Sequence, residues 1–478
     1  MDSIRKAVMD SILVATWGNP WIPGWREVEY ILNDERVMSK CSLSSLLCRI
    51  KKEEKELSKI LIIVLDTVAD RYVSTYEELL GYVKGKFLDF VRKDLGLDTR
   101  NIEIIVAPGT GRFRTSRTEG LQIGEFLGDL LDFYIYVLLK LSKELNPGEL
   151  SLHLDLSHGI NYMPVLVYRA IKELLGILAI GSDIVTLKVY NAEPFVGEVT
   201  TSLRIHSVEN TSVAPSPCSE ALNDNAKFLK ISEIATNPKL ASEKLSELDS
   251  RKLDNEVDSC LKDLSIKELN AFLGAVLNGL PLTLYSFFPD HKKLEEYLNC
   301  LENIYRKWIE IYRTENGFRV VRKVSFENDF ATLIKCYFTA KVFGLDNKKI
   351  VSLRDLHDVR RKFFFKNRRL DIMISNSLHE IEEKVKNMIE KDEACRDQLA
   401  SWISLSEIFE RKKPDMNRFD DRNFLAHSGF ERNVTYMKLS TEGKDKYNLR
   451  EHLLVKYSEE REAQKRILDS SSKGLTFQ

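Results

Sequence analysis

Apolar residues in the first 210 positions form short runs, separated by longer stretches with helical spacing. Predicted strands cover residues 12–16, 60–65, 102–107, 150–156, 184–189 and 200–205. Predicted helices begin near residue 26 and residue 161 and cover residues 76–95 and 119–145. Strands that alternate with helices are typical of a parallel, Rossmann-like sheet. The run from Ile60 to Leu65 is aliphatic throughout, which indicates a strand buried on both faces.

The pattern changes after this half. Residues 209–225 contain two prolines with several Ser and Asn, and few large apolar residues, so they read as a linker. Beyond it, apolar positions at i, i+3 and i+4 predict helices over 266–277, 292–312 and 327–343, with a candidate β-hairpin at 316–325. We therefore predict an α/β plus all-α fold with three parts, 1–210, 211–325 and 326–478.

The predicted strand 150–156 has an unusual pattern. Leucines occupy one face, whereas Ser151, His153 and Asp155 occupy the other. A central strand of a parallel sheet is normally apolar on both faces. A polar interface and a ligand-binding face would each explain the pattern, and the sequence does not choose between them.

Composition restricts the possible functions only loosely. The formal net charge is −1, so nucleic acid would have to be bound by local patches. The seven cysteines are scattered without a C-x-x-C pair, which argues against a zinc knuckle or a disulfide framework and predicts a cytoplasmic location. The most apolar windows, 133–139 and 160–181, are interrupted or flanked by charged residues. We expect buried helices there and no membrane association.

Three loops follow predicted strands and could form a ligand pocket, because open parallel sheets bind ligands outside the carboxyl ends of their strands. Asn161 is a candidate N-cap, and the free N–H groups of the helix after it would favour an anion. Trp17 could instead close the core, and His158 could be a structural hydrogen-bonding group. The candidate pocket residues are Trp17, Gly18, Gly109, Gly111, Ser157, His158, Gly159 and Asn161.

Several common cofactor and metal motifs are missing from the sequence. No G-x-G-x-x-G follows the first predicted strand, and no P-loop occurs, so a dinucleotide or ATP is not expected. No His, Asp and Glu cluster has the spacing of a metal site. We predict neither a metal nor a cofactor.

The segment Arg422-Asn423-Phe424-Leu425-Ala426-His427 brings together residue types suited to metal-free RNA cleavage. Positions five apart in a helix differ by roughly 140°, so Arg422 and His427 converge only if Arg422 lies at a helix start or if a second copy faces the first. Asn423 and His427 are four apart and share a face. A structural pair, with the arginine bound to a nearby aspartate and the histidine to a carbonyl, is the alternative for this spacing alone.

The chemistry that such residues allow is transesterification of RNA. Histidine ordinarily titrates near pH ~6.5, so His427 could act as general base or acid in attack by the RNA 2′-hydroxyl on the adjacent phosphate. Arg422 would stabilise the charge that develops on that phosphate. The products would carry a 2′,3′-cyclic phosphate and a 5′-hydroxyl, and DNA would resist cleavage.

Residues 155–164 (DLSHGINYMP), together with Arg422, Asn423 and His427, resemble the type III CRISPR-associated ribonucleases that join a CARF sensor to a HEPN nuclease. The resemblance implies a CARF domain over 1–210, a helical connector over 211–325 and a HEPN domain over 326–478. It also implies a homodimer or higher homo-oligomer that cleaves single-stranded RNA in antiviral defence. The activator would be a cyclic oligoadenylate, usually cyclic tetra-adenylate, bound by the pocket residues named above.

Two other functions stay open at this point. A CARF-type transcriptional regulator would need a helix-turn-helix with a basic recognition helix, and residues 230–262 do not clearly contain one. A CARF domain that degrades its own ligand would place Ser157 or His158 near the attacked phosphate.

Overall fold

The computed structural model describes residues 9–53, 57–114, 123–233, 247–391, 397–440 and 449–477. The chain divides into two compact units. Unit 1 comprises residues 1–214, 227–262 and 297–334, and unit 2 comprises residues 215–226, 263–296 and 335–478. Both units are thus assembled from segments that are not contiguous in sequence. The predicted domain boundaries at residues 210 and 325 stay predictions.

Unit 1 is built on a mostly parallel sheet. Its first strands are β1 (Asp10–Trp17), β2 (Val28–Leu32), β3 (Glu35–Ser39), β4 (Lys59–Leu65), β5 (Ile102–Ala107), β6 (Gly111–Arg114), β7 (Ile123–Leu127), β8 (Leu150–His158), β9 (Val185–Ala192) and β10 (Ser202–Ser212). Eight of them form one sheet in the order β3-β2-β10-β9-β8-β1-β4-β5. The five strands from β9 to β5 are parallel, and β10 is antiparallel to β9. The Rossmann-like prediction is confirmed.

Four helices accompany these strands: α1 (Leu43–Glu53), α2 (Tyr76–Lys93), α3 (Leu130–Glu144) and α4 (Met163–Gly181). Residues 60–65 of β4 are all buried, as their uninterrupted apolar run predicts. The helix predicted from residue 26 is wrong, because residues 28–39 form the β2–β3 hairpin and α1 begins only at Leu43.

The remaining strands are β11 (Glu220–Ala221), β12 (Leu229–Ile231), β13 (Ile309–Thr314), β14 (Gly317–Arg322), β15 (Val324–Phe326), β16 (Ile350–Ser352), β17 (Ile403–Ser404), β18 (Thr435–Leu439), β19 (Leu453–Tyr457) and β20 (Thr476–Phe477). In unit 1, β13 and β14 form an antiparallel hairpin, and β14 pairs in parallel with β7. The predicted hairpin is therefore present, but it begins earlier and takes residues assigned to the helix 292–312.

Strand β7 also corrects the helix predicted over 119–145. Residues 119–122 lie outside the described residues, and residues 123–127 pair with β6 and β14. The helix starts at Leu130, where the Asp129 side chain accepts a hydrogen bond from Leu131 N at 2.9 Å. Local helical spacing was overridden by a strand partner distant in sequence.

Beyond residue 246 the described helices are α5 (Glu247–Cys260), α6 (Ile266–Asn278), α7 (Pro281–Ser286), α8 (His291–Lys307), α9 (Asn328–Phe343), α10 (Leu353–Val359), α11 (Arg368–Lys391), α12 (Leu405–Glu410), α13 (Asp421–Ala426), α14 (Leu449–His452) and α15 (Arg461–Ser471). Unit 2 is mostly helical, as predicted. It also holds an antiparallel sheet in the order β16-β19-β18-β17, which the all-α reading missed.

Cys260 and Cys300 form a disulfide. The expectation drawn from cysteine spacing is therefore wrong for this pair, because the two residues lie on different helices and share no local motif.

The apolar windows at 133–139 and 160–181 lie in α3 and α4, and most of their residues are buried. Within the described ranges, no helix is long and apolar enough to cross a membrane.

Candidate functional site

The loops that follow β1 and β8 lie against each other at the carboxyl edge of the sheet. Gly18 N donates to His158 O at 2.7 Å. A Cβ atom at Gly159 would lie 2.4 Å from Thr16 Oγ1, and one at Gly18 would lie 2.7 Å from Ile160 Cγ2. Neither distance leaves room for a side chain, so both glycines are needed for the close approach of the two loops.

Trp17 belongs to the core of unit 1. Its side chain is fully buried. The indole packs against Trp25 at 5.5 Å, Phe87 at 6.2 Å and Phe90 at 6.0 Å between ring centroids. This packing fits the alternative reading, in which Trp17 closes the core. A ligand role for this residue stays a prediction.

His158 is held as a neutral ring. Its Nε2 lies 3.1 Å from Ser42 N and 3.2 Å from the Tyr30 hydroxyl, and its face lies 4.3 Å from Trp25. A backbone N–H can only donate, so Nε2 carries no proton and the ring proton sits on Nδ1. Burial lowers the pKa of His158 to about 4, and the charge of Asp155 only partly opposes this. The imidazole is therefore a hydrogen-bonding group that stays uncharged near neutral pH.

Asp155 organises the start of the same loop. Its Oδ2 accepts from Ser42 Oγ at 2.6 Å, and its Oδ1 accepts from Ser157 N at 3.0 Å and from Ser157 Oγ at 2.6 Å. The Ser157 hydroxyl also accepts from Ala192 N at 2.9 Å. Ser157 is thus a structural link between β8 and β9, with its hydroxyl proton given to Asp155.

These contacts explain the polar face of β8. Ser151, His153 and Asp155 are all buried. His153 Nδ1 lies 3.1 Å from the Tyr190 hydroxyl, and its Nε2 lies 3.4 Å from Ser151 Oγ. Buried polar groups are tolerated when they are hydrogen-bonded. The face is therefore an internal polar network, which is the interface reading of the pattern.

Asn161 occupies an exposed turn after β8. Its φ is +49°, a left-handed conformation that asparagine tolerates better than most residues. We predicted Asn161 as the N-cap of the next helix, and this prediction is wrong. Helix α4 begins at Met163, and the residue before it, Tyr162, makes no side-chain capping hydrogen bond. Burial raises the pKa of Tyr162, and the nearby Thr110 of the loop after β5 opposes the shift.

The loop after β5 is anchored by a buried ion pair. Gly109 N donates to Asp66 Oδ1 at 2.8 Å, and Gly109 O accepts from Arg322 Nη1 at 2.8 Å. Arg322 and Asp66 also pair directly, and both are fully buried. Tyr76 adds a hydrogen bond to Asp66 at 3.0 Å. Sequence reasoning missed both charged residues, although Asp66 directly follows β4 at the edge where ligand loops were sought.

Gly111 opens β6 on the same loop. Its φ of +133° is rarely adopted by residues with a side chain. The glycine is exposed, and its neighbour Arg112 pairs with Glu125 across the β6–β7 hairpin at 2.8 Å. The structure thus brings seven of the eight predicted pocket residues to the carboxyl edge of the sheet, in loops or at the adjoining strand ends, and buries the eighth, Trp17, in the core.

In unit 2, the predicted catalytic motif lies on the short helix α13. The Asp420 side chain caps this helix by accepting from Asn423 N at 2.8 Å. Arg422 is therefore at a helix start, which is one of the two arrangements named above for its convergence with His427. His427 ends the helix, where its N–H donates to Asn423 O at 3.0 Å. The motif thus spans one short helix from its first turn to its C-cap.

Helix α13 is fixed at both ends. Asp421 forms an ion pair with Lys473, and hydrogen bonding to that lysine lowers the pKa of the aspartate. Phe424 is fully buried, with its ring 6.2 Å from Tyr457. The Tyr457 hydroxyl donates to Gly429 O at 3.0 Å, just after the helix. These contacts hold the motif in one orientation.

Asn423 and His427 line one cavity of about 300 Å³, as their i, i+4 spacing predicts. Arg422 is exposed and does not line this cavity within a single chain. The other lining residues are Glu410, Arg418, Phe430, Glu431, Arg432 and Asn433.

The cavity contains two arginines that sequence reasoning missed. Arg432 pairs with Glu410 at 3.0 Å and with Glu380 at 3.7 Å. Arg418 lies 3.6 Å from Asp415 and is mostly exposed. Guanidinium groups suit phosphate, because their planar array of donors matches its oxygens. No motif marks these residues, since their relation to His427 depends on how the chain folds back.

Glu431 is a further unpredicted member of the cavity. Its side chain is buried, and its two oxygens accept from Asn433 N and Asn433 Nδ2, both at 2.8 Å. Burial raises the pKa of Glu431, and the nearby Glu410 adds to the shift. The cavity therefore combines an imidazole, a buried carboxyl group and two guanidinium groups.

Two parts of the chain match known protein families. Residues 12–194 match the family described as CRISPR system endoribonuclease Csx1, CARF domain, and residues 367–460 match its HEPN domain. The CRISPR system endoribonuclease Csx1 of Methanocaldococcus jannaschii is 33% identical over 459 residues, covering 94% of this chain and 91% of that protein. The chain therefore belongs to the Csx1 family of CRISPR endoribonucleases, with an N-terminal CARF domain and a C-terminal HEPN domain.

Proposed function

We propose that this protein cleaves single-stranded RNA without a metal, by attack of the RNA 2′-hydroxyl, when a cyclic oligoadenylate occupies its CARF domain. Cyclic tetra-adenylate is the proposed activator. The observation that carries the proposal is the polar cavity of unit 2, where Asn423 and His427 lie together with two arginines.

The proposed catalytic roles follow from the chemistry of these groups. His427 transfers a proton in the transition state, which contributes typically 10²–10⁴-fold in rate. Asn423 contacts substrate or orients the imidazole from the same face of α13. Arg422 stabilises the phosphorane from its position at the helix start. Since Arg422 lies outside the cavity of its own chain, we propose that two copies of α13 act together in a dimer.

The proposed ligand site is the carboxyl edge of the CARF sheet. The loops after β1, β5 and β8 expose backbone at Gly111 and a polar side chain at Asn161. His158 ends β8 directly before the last of these loops, and its neutral Nδ1–H is a proposed donor to the ligand. Neutral donors and free backbone N–H groups suit the phosphates and bases of a cyclic oligonucleotide.

The alternative functions find less support. A CARF domain that degrades its ligand through Ser157 or His158 would need a free nucleophile or base. Instead, the Ser157 hydroxyl donates to Asp155, and His158 Nε2 accepts from Ser42. A regulator without nuclease activity would not need an imidazole and a buried carboxyl group in one polar cavity.

Labelled RNA, incubated with the protein in EDTA with and without cyclic tetra-adenylate, tests the proposal. We expect ligand-dependent cleavage to 2′,3′-cyclic phosphate ends and no cleavage of DNA of the same sequence. His427→Ala should lower the rate by about 10²–10⁴-fold. His379→Ala is the matched control, because that histidine is exposed on α11 and pairs with Glu383. Full activity in His427→Ala, or products with 3′-hydroxyl ends, would contradict the mechanism.

A further inference from the structure

Cleavage by 2′-hydroxyl attack requires two proton transfers. One group must accept the proton of the attacking 2′-hydroxyl, and another must protonate the departing 5′-oxygen. His427 can perform one of these transfers at a time. Within one chain, a second group for this role should lie in the same cavity and titrate separately from the imidazole.

The cavity offers two carboxyl groups for this role. Glu410 is exposed, and it pairs with Arg432 at 3.0 Å. Glu431 is only 5% exposed, and it has no arginine or lysine partner among the ion pairs of the described residues. A carboxylate that is desolvated and not neutralised by a cation is the stronger base of the two.

The backbone carries Glu431 to the cavity that His427 lines. Phe430 N donates to His427 O at 2.9 Å, so the chain turns back directly after α13. Asn433 then fixes both carboxylate oxygens through its N–H and its amide. The amide oxygen of Asn433 in turn accepts from Asp415 N at 3.0 Å. The N–H of Val434 also favours the ionised form of this carboxylate, and the lone-pair capacity that these donors leave can take a proton from outside.

Other charged groups surround Glu431 in the cavity. Glu410 disfavours its ionised form, and the other titratable or charged groups that line the cavity are His427, Arg418 and Arg432. Burial is the largest influence and raises the pKa of Glu431. A carboxylate with a raised pKa holds a proton more readily during catalysis than an exposed one does.

We propose that Glu431 is the general base of the ribonuclease site and His427 its general acid. The Glu431 carboxylate takes the proton of the 2′-hydroxyl while the 2′-oxygen forms a bond to phosphorus. The bond from phosphorus to the 5′-oxygen breaks, and the 5′-oxygen takes a proton from the His427 imidazolium. Glu431 is left protonated and His427 neutral, and water returns both to their starting states. This assignment rests on the 2′-hydroxyl mechanism proposed above.

The two roles can be separated with RNA whose scissile 5′-oxygen is replaced by sulfur. A thiol is far more acidic than an alcohol, so a thiolate leaves without a general acid. We expect His427→Ala to lose about 10²–10⁴-fold on ordinary RNA and to regain most of that loss on the sulfur substrate. We expect Glu431→Gln to lose a similar factor on both substrates. Glu459→Gln, an exposed carboxylate outside the cavity that pairs with Lys456, should change either rate by less than about tenfold.

Two results would overturn the assignment. One is a cleavage rate for Glu431→Gln that falls by less than about tenfold on both substrates, since the removal of a general base lowers the rate by more than that. The other is recovery of Glu431→Gln on the sulfur substrate, which would give it the acid role. If wild-type protein forms no 2′,3′-cyclic phosphate, the proposed function itself fails. If the wild-type protein forms the cyclic phosphate and Glu431→Gln is fully active, the role of Glu431 is refuted while the proposed function stands.

The wild-type pH–rate profile decides the matter if Glu431→Gln does not fold. A base and an acid that act together produce a bell-shaped profile on ordinary RNA. On the sulfur substrate, the basic limb should disappear because His427 is no longer needed, whereas the acidic limb of Glu431 should remain. Loss of the acidic limb instead would refute the assignment.

Discussion

Replacing Arg322 with methionine tests the anchor of the loop after β5. Arg322 and Asp66 are each fully buried, and together they bind both the N–H and the carbonyl of Gly109. In Arg322→Met, Asp66 keeps its hydrogen bonds from Gly109 and Tyr76 but loses the cation that balances its charge. The variant therefore leaves a carboxylate buried without an ionic partner.

The expected loss is large because the remaining charge is desolvated. Removing one partner of a buried ion pair costs about 3–5 kcal/mol of unfolding free energy. Removing both charges costs much less, since no uncompensated ion remains. In Arg322→Met/Asp66→Asn, an amide replaces the carboxylate and can still accept from Gly109. We thus expect the double variant to be more stable than Arg322→Met alone. Two independent destabilising substitutions would instead make the double variant less stable than either single variant.

The loss should also depend on pH. Burial raises the pKa of Asp66, and the charge of Arg322 is the largest influence that lowers it. Without Arg322, the folded-state pKa of Asp66 rises further above its unfolded value. A carboxyl group of this kind contributes stability below its unfolded pKa, and that stability is lost as pH rises through the folded pKa. Arg322→Met should therefore be more destabilised relative to wild type at pH 8 than at pH 5.

Urea unfolding followed by tryptophan fluorescence measures these differences. Four of the five tryptophans (Trp17, Trp21, Trp25 and Trp308) belong to unit 1, so the signal reports mainly on the unit that contains the ion pair. Equal midpoints for the single and double variants would refute the reasoning. So would a loss in Arg322→Met that is the same at both pH values.

Two further predictions concern the ligand loops. In Gly159→Ala, the new Cβ would lie 2.4 Å from Thr16 Oγ1, so we expect a loss of about 1–3 kcal/mol in urea unfolding. The control Gly85→Ala, inside α2 with open space around it, should instead gain about 0.5–1 kcal/mol, and a loss there would discredit the packing argument. Asn161→Ala should raise the cyclic tetra-adenylate concentration needed for half-maximal RNA cleavage, whereas Asn101→Ala, an exposed residue directly before β5 at the opposite edge of the sheet, should not. An unchanged activation curve for Asn161→Ala would remove Asn161 from the ligand site.

Several features were predictable from the sequence because they depend on near neighbours in the chain. The buried strand at 60–65 follows from its unbroken apolar run. The start of α13 follows from Asp420, whose side chain can reach the N–H three residues later. The position of the loops after β1, β5 and β8 at one edge of the sheet follows from the parallel order of those strands.

Other features depended on partners that no local pattern reveals. Residues 123–127 have helical spacing, yet they form a strand because β14 offers a backbone partner distant in sequence. The polar face of β8 is an internal network because Ser42 and Tyr190 fold against it. Periodicity reports which face of an element is apolar, but not which group will meet its polar face.

The same distinction holds for the proposed ribonuclease site. The sequence by itself determined that Asn423 and His427 share a face, because helical geometry links positions four apart. Only the tertiary structure brought Glu431, Arg418 and Arg432 to the same cavity and left Arg422 outside it. The turn after α13 and the burial of Glu431 decide this arrangement, because desolvation and orientation are properties of the folded surroundings and not of residue spacing.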